Sequence, residues 1–148
     1  EELDELGLHA VPKTSGASGI HIVLPLPRGA TYELSRVLAE LVARRVNEKH
    51  PKETTVKRGV RSRPPDAVYV DYLQNIRGKT VASVYAARAE TYASTSTPLK
   101  WTELTNDLSP LDFTIENLVK RVKRVGDLWA LGMRRPNRLP GIIGDAAA

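Results

Sequence analysis

The segment KTSGASGIHIVLPL, residues 13–26, constrains the fold of this chain more than any other. Its glycine–serine loop, residues 15–19, leads directly into an apolar stretch with His21 near the junction. Because glycine has no side chain and adopts unusual backbone dihedrals, such a loop can come close to a bulky anion. Backbone N–H groups, serine hydroxyls and an imidazole converging there would suit phosphate oxygens. Taken alone, the loop can equally be an ordinary turn, and His21 a packed histidine.

A second segment, VYVDYLQN, places the carboxylate of Asp71 inside a β-type pattern. The pattern predicts a carboxylate buried between Val70 and Tyr72, which is costly unless a cation or hydrogen bonds compensate it. A cap or an ion-pair partner is the ordinary alternative for a single aspartate at a strand end. A phosphate-binding loop followed by a strand carboxylate favours metal-dependent nucleotide chemistry.

Apolar periodicity predicts two main helices. Thr31 is placed to cap a helix over residues 32–48, and Thr114 to cap one over residues 115–125. The predicted inner face of the second helix consists of Ile115, Leu118, Val119 and Val122. Strands are predicted over residues 20–24, 54–57, 68–73 and 80–87, the first of them buried, and the tail from Arg134 is predicted to be loosely structured.

Composition limits the class of protein. The chain has 148 residues, of which 41% are hydrophobic, so we predict a single module over residues 1–148. It has no cysteine, which excludes disulfides and thiolate metal sites, and its net charge of +5 favours polyanionic partners. Neither a membrane-spanning run nor a secretory leader is visible, so we expect a cytoplasmic protein with no membrane partner.

Three blocks carry a resemblance to a known family: residues 13–26, residues 68–88 (VYVDYLQNIRGKTVASVYAAR) and residues 96–117 (STPLKWTELTNDLSPLDFTIEN), followed by GDLW. In this order they resemble the polymerase domain of bacterial non-homologous end-joining DNA ligases of the LigD type, in the archaeo-eukaryotic primase superfamily. The resemblance implies an α/β (α+β) primase-polymerase-like fold, with a mainly antiparallel sheet flanked by helices. We expect that sheet to contain the strands at residues 20–24, 68–73 and 80–87.

The resemblance also implies roles for individual residues. The nucleotide triphosphate would contact Ser15, Gly16, Ser18, His21 and Arg88, with the difference that the family often has lysine at the position of Ser18. Asp71 would be a catalytic ligand of a site for two Mn²⁺ or Mg²⁺ ions, which prefer oxygen ligands. Gln74 and Lys79 would support the nucleotide or the metal-bearing strand.

The family's other two metal ligands form an Asp-x-Asp pair upstream, and no such pair occurs in this sequence. We therefore expect the chain to be the C-terminal part of such a domain and to be inactive by itself. The intact protein would add NTPs or dNTPs to DNA ends in repair, alongside fused ligase and nuclease domains and the end-binding protein Ku, at the nucleoid. A non-catalytic nucleotide- or nucleic-acid-binding module is the alternative.

A basic loop between residues 57 and 65 is a candidate DNA contact. It contains Arg58, Arg61 and Arg63 and ends in two prolines. A solvated loop with ordinary surface charges is the alternative, because charge runs usually face water.

Overall fold

The computed structural model describes residues 1–139, which form two compact units. The first unit comprises Glu1–Leu8 and Leu26–Thr80 together with Arg138 and Leu139, and the second comprises His9–Pro25 and Val81–Asn137. Among residues 1–139, no helix has the length and apolar content that crossing a bilayer requires. The single module over residues 1–148 stays a prediction.

The first unit is built around one long helix. It contains α1 (Glu2–Glu5), α2 (Tyr32–Lys49) and a short parallel pair of strands, β3 (Thr54–Thr55) and β4 (Val68–Tyr69). The predicted helix over residues 32–48 is confirmed, because Thr31 Oγ1 accepts a hydrogen bond of 3.1 Å from the backbone N–H of Leu34. The predicted strand over residues 68–73 is shorter than expected and ends at Tyr69.

Charged side chains join the two helices of the first unit. Lys49 Nζ lies 2.6 Å from carboxylate oxygens of both Glu2 and Glu5, and Arg45 contacts the same two acids at 3.1 and 2.8 Å. The hydrogen bonds from Lys49 are the main reason that the pKa of each glutamate lies below its usual value. Glu2 and Glu5 of α1 are thus neutralised by α2.

The second unit begins with a β-hairpin. β1 (Val11–Thr14) and β2 (Ile20–Val23) pair antiparallel in a register that sets Lys13 opposite His21. The predicted strand over residues 20–24 is therefore confirmed, but its predicted burial is wrong. Ile20 and Ile22 are 40% and 42% exposed, because β2 is an edge strand and alternate side chains point away from the core.

Two extended segments continue from the free edge of β1. Residues 94–99 lie beside β1, where Thr14 N donates to Thr97 O at 2.9 Å. Residues 85–88 lie on the far side of that segment, where Arg88 N donates to Ser94 O at 2.8 Å. The whole stretch from Ser94 to Leu99 is buried, although four of its six residues are serine or threonine.

The predicted composition of the sheet is wrong. Over residues 80–87 the chain forms no regular strand, because Tyr85 has a φ of 64°, which interrupts an extended conformation. Only an isolated antiparallel bridge joins Ala87 to Thr95. Within residues 1–139 the named strands form two separate pairs, β1–β2 and β3–β4, so the strand at residues 20–24 and the strand at Val68 belong to different sheets.

Helix α3 (Ile115–Val125) has the predicted bounds but only part of the predicted inner face, because Leu118 and Val122 alone of its members are half-buried. Ile115 and Val119 are 54% and 61% exposed, whereas Arg121 is buried. Arg121 makes two hydrogen bonds of 2.7 Å to the carboxylate of Glu103 and one of 3.1 Å to Pro98 O. A bidentate ion pair with satisfied donors can be buried, and here it selects the face of the helix that packs inward.

The last described residues are held more firmly than the sequence predicted. Residues 134–139 contain no helix or strand, but Asn137 is only 5% exposed. Its amide donates to His9 O at 2.9 Å and to Pro25 O at 3.1 Å, and its oxygen accepts from His9 N at 2.8 Å. The remainder of the predicted tail lies outside the described residues.

Replacing this asparagine should therefore cost stability. Asn137→Ala removes three hydrogen bonds of the amide side chain and leaves the backbone N–H and carbonyl of His9 without these partners, whereas Pro25 O still accepts from the backbone N–H of residue 137. We expect the free energy of unfolding to fall by about 2 kcal/mol. Urea denaturation of the intact protein measures this loss. Asn106→Ala, at an exposed position of the same unit, is the control and should change stability little. Equal effects of the two variants would contradict the assigned role of Asn137.

Candidate functional site

The glycine–serine loop between β1 and β2 is organised by Ser15. Its backbone N–H donates to Gly19 O at 2.8 Å, and its Oγ accepts from the N–H groups of Ala17 and Gly19 at 3.0 and 3.1 Å. The hydroxyl of Ser15 retains its own proton for donation. Ser18 is exposed in the same loop. Of the two predicted serines, Ser15 shapes the loop and Ser18 faces solvent.

Gly16 brings the loop against the segment that carries Arg88. Its φ is 76°, and its carbonyl oxygen accepts a hydrogen bond from the hydroxyl of the buried Ser94. A Cβ atom at this position would lie 2.4 Å from Arg88 Cγ and 3.1 Å from the backbone nitrogen of Ser96. The close approach therefore requires glycine, both for its backbone conformation and for the absence of a side chain.

His21 lies beside a buried lysine that sequence reasoning did not assign to the site. Lys13 is 2% exposed, and its Nζ lies 2.9 Å from His21 Nδ1. The same Nζ donates to Ser96 Oγ at 2.6 Å and to Ala82 O at 3.0 Å. Once the register of the β1–β2 hairpin is known, Lys13 lies directly across from His21. This cross-strand pairing is the signal that could have assigned Lys13 to the site.

The electrostatics of this group are dominated by positive charge. Burial, and then the nearby charge of Arg88, lowers the pKa of Lys13 to about 8. Burial, followed by the charges of Lys13 and Arg88, lowers the pKa of His21 as well. In the described part of the second unit, the acid–base ion pair joins Arg121 to Glu103. Lys13, His21 and Arg88 form a cationic cluster that no carboxylate in that part neutralises. Such a group attracts anions.

Asp71 lies in the first unit and is exposed, so its predicted burial is wrong. β4 ends at Tyr69 and a short 3-10 helix begins at Leu73, so Asp71 lies in the irregular segment between them and not in a buried strand. Asp71 Oδ1 accepts from Leu73 N at 2.9 Å and from the hydroxyl of Tyr69 at 3.3 Å, while Gln74 Nε2 is 3.5 Å from Oδ2. The carboxylate is therefore held in place and remains accessible to a cation.

The supporting and DNA-binding predictions also concern the first unit. Lys79 is exposed just after Gly78, whose φ is 85°. Arg58 and Arg61 are exposed, as a DNA-contacting loop requires. Arg63 differs, because its guanidinium donates to Lys57 O and Arg58 O at 3.0 and 2.9 Å and lies 3.7 Å from the ring centre of Tyr69. These contacts hold the loop in shape, and DNA binding by Arg63 stays a prediction.

The described residues offer an incomplete set of metal ligands. Among residues 1–139, the acids close enough together to hold an ion are Glu1, Glu2 and Glu5, and Lys49 already pairs with two of them. Asp71 belongs to no such group within the part of the chain that the structure describes. It provides hard oxygen ligands suited to Mg²⁺ or Mn²⁺, but one carboxylate does not make a two-metal site.

The structure thus brings the predicted triphosphate residues Ser15, Gly16, His21 and Arg88 into one unit and the predicted Asp71 and Gln74 into the other. That His21 and Asp71 share one ligand stays a prediction.

Comparisons with known proteins agree on one family. The family model described as the primase-polymerase domain of LigD matches residues 1–129. The bifunctional non-homologous end joining protein LigD of Bacillus subtilis is 35% identical over 125 residues, which are 84% of this chain and 20% of that protein. The multifunctional non-homologous end joining DNA repair protein LigD of Mycobacterium tuberculosis is 31% identical over 128 residues, 85% of this chain and 16% of that protein.

A solved structure has the same fold as this chain. The polymerase domain of Mycobacterium tuberculosis Ligase D, in complex with DNA, matches with a TM-score of 0.80 and 29% identity over 91% of this chain and 46% of that chain. The match confirms the predicted mixed α/β fold class. The chain spans a fifth or less of the curated relatives and slightly under half of the solved domain.

Proposed function

Because the chain belongs to the LigD primase-polymerase domain family, we propose that the intact protein adds nucleotides to DNA ends during non-homologous end joining. In this proposal the second unit binds the triphosphate of an incoming NTP or dNTP. The first unit contributes Asp71 to the reaction and its basic loop to DNA. Fused ligase and nuclease domains and the protein Ku are proposed partners of the intact protein.

The cationic cluster beside the glycine–serine loop is the observation that carries this proposal. Lys13, His21 and Arg88 have no carboxylate partner within the described part of their unit, and Gly16 allows the loop backbone to lie against Arg88. A triphosphate is the ligand class that matches several convergent donors and an unneutralised positive charge. The guanidinium of Arg88 would pair with two phosphate oxygens at once.

We propose that Asp71 is one ligand of a divalent metal site for Mn²⁺ or Mg²⁺. When bound, such ions activate the attacking hydroxyl and neutralise the leaving pyrophosphate. The hydrogen bonds from Leu73 N and Tyr69 orient the carboxylate of Asp71. Acids outside this sequence would supply the remaining ligands.

Extension of a DNA end tests the proposal directly. The intact protein, incubated with Mn²⁺, an NTP and a duplex with a recessed 3′ end, should lengthen the primer strand. If it binds nucleotide and DNA with ordinary affinity yet never extends the primer, the alternative of a non-catalytic binding module is correct.

We expect substitutions to separate nucleotide binding from DNA binding. Arg88→Ala should raise the KM for nucleotide or lower turnover and leave DNA binding nearly unchanged. Arg58→Ala with Arg61→Ala should weaken DNA binding. It should also flatten the salt dependence of that binding by about one unit of log–log slope for each phosphate that the loop no longer neutralises. Arg63 is left intact because it holds the loop together.

Filter binding of labelled DNA across a salt series, beside nucleotide titrations, measures both effects. Each variant serves as the control for the other. An Arg88→Ala protein that loses DNA affinity but keeps its affinity for nucleotide would show that the triphosphate role of Arg88 is wrong.

A further inference from the structure

The hydrogen bonds of Lys13 assign each of its three ammonium protons. Ala82 O, 3.0 Å from Nζ, can only accept. Ser96 Oγ, 2.6 Å from Nζ, donates its own proton to Thr14 O at 2.9 Å and therefore accepts from Lys13. The third N–H is left for His21 Nδ1 at 2.9 Å.

This arrangement determines where His21 carries its proton. An ammonium group has no lone pair, so Nδ1 must accept and cannot carry a proton while Lys13 is charged. An imidazolium would direct an N–H at the ammonium, and the lowered pKa of His21 reflects the charge of Lys13 in addition to burial. A neutral ring without a proton on Nδ1 carries it on Nε2.

We propose that Lys13 is a positioning residue that fixes His21 as the Nε2–H tautomer, so that the ring presents a hydrogen-bond donor to an anionic ligand. Nε2 makes no hydrogen bond within the described residues of its own unit, so this donor is open to a ligand. The identity of that ligand as a triphosphate rests on the function proposed above. The tautomer itself does not.

The assignment depends on the charge of Lys13. Its ammonium faces His21 on β2 and Arg88 on the segment 85–88, while its other neighbours, Ser96 Oγ and Ala82 O, are uncharged. Because the pKa of Lys13 is about 8, the amine becomes neutral above that pH and gains a lone pair. Nδ1 can then donate to Nζ, and the Nδ1–H tautomer becomes accessible.

Nitrogen NMR of the imidazole rings measures the tautomer. The intact protein is prepared with ¹⁵N-labelled histidine rings, and His21→Asn identifies the signals. At pH 7 we expect a protonated Nε2 and an unprotonated Nδ1 in the unaltered protein, shifting towards a mixture of tautomers as the pH passes the pKa of Lys13. Lys13→Met should give the mixture at both pH values, while Lys100→Met, at an exposed lysine of the same unit, should retain the Nε2–H form.

Binding of inorganic triphosphate provides a second measurement. Lys13→Met should weaken it by about twofold or more at pH 7, because only the Nε2–H fraction of the mixture can donate and the cationic cluster loses one charge. A protonated Nδ1 in the unaltered protein at pH 7, or an unchanged tautomer in a folded Lys13→Met, overturns the inference. If Lys13→Met does not fold, the pH series on the unaltered protein decides, and a tautomer that is constant through pH 8 overturns it. A tautomer that behaves as expected in a protein that binds no triphosphate contradicts the proposed function and leaves the role of Lys13 standing.

Discussion

Asp71→Ala in the intact protein is expected to reduce nucleotide addition to a DNA end by about three orders of magnitude, because a metal-assisted displacement loses a ligand that no other described acid replaces. Asp71→Asn should act similarly, since an amide lacks the negative charge that holds the cation. Mn²⁺-dependent primer extension measures the loss.

The same substitution should leave the fold intact. Asp71 is exposed, and its replacement removes the hydrogen bond from Leu73 N, worth about 1 kcal/mol. The longer contacts from Tyr69 and Gln74 are lost as well. Asp66→Ala, an exposed aspartate in the same unit, is the matched control and should keep full activity. A well-folded Asp71→Ala protein that still extends primers with Mn²⁺ would remove Asp71 from the catalytic residues.

Gly16→Ala is expected to lower the free energy of unfolding by about 3 kcal/mol, through left-handed strain at a φ of 76° and overpacking against Arg88 and Ser96. It should also raise the KM for nucleotide, because the new methyl group displaces the side chain of Arg88. Urea denaturation and nucleotide titration measure the two effects.

Gly29→Ala separates backbone strain from overpacking as causes of the lost stability. Gly29 has a φ of 88° but no atom within 4 Å of an added Cβ, so it suffers the strain without the overpacking and should lose about 1 kcal/mol. If both variants lose the same stability and Gly16→Ala binds nucleotide normally, the close approach of the loop to Arg88 has no functional role.

Local sequence was sufficient to predict a feature wherever the interactions that determine that feature are local. The bounds of α2 and α3 followed from apolar periodicity and from the threonines that precede them. Thr31 caps α2 with its hydroxyl as predicted, whereas at the start of α3 the side chain of Asn117 accepts from Thr114 N. The loop before β2 followed from its glycines and serines. The motif blocks likewise predicted the family, since their order along the chain requires no structure.

Long-range pairing decided the features that the sequence mispredicted. Which face of α3 packs inward depends on the ion pair between Arg121 and Glu103, which are 18 residues apart in the chain. Which strand of the hairpin is exposed depends on the buried, hydroxyl-rich segment 94–99. This segment occupies the free edge of β1 and leaves β2 exposed. Periodicity carries no information about such partners, because it reports only one element at a time.

The candidate site likewise contains residues that the sequence placed correctly and residues whose surroundings only the structure revealed. The order of residues alone was enough to place Ser15, Gly16 and His21 on one loop and the strand that follows it, because these are continuous in the chain. The pairing of that strand with β1 was found only in the structure. Folding was needed to set Lys13 beside His21 without a carboxylate, to move Asp71 out to solvent and to tie Arg63 into its own loop. Burial, charge and pKa are properties of what surrounds a side chain, and distant segments brought together by folding supply most of those surroundings.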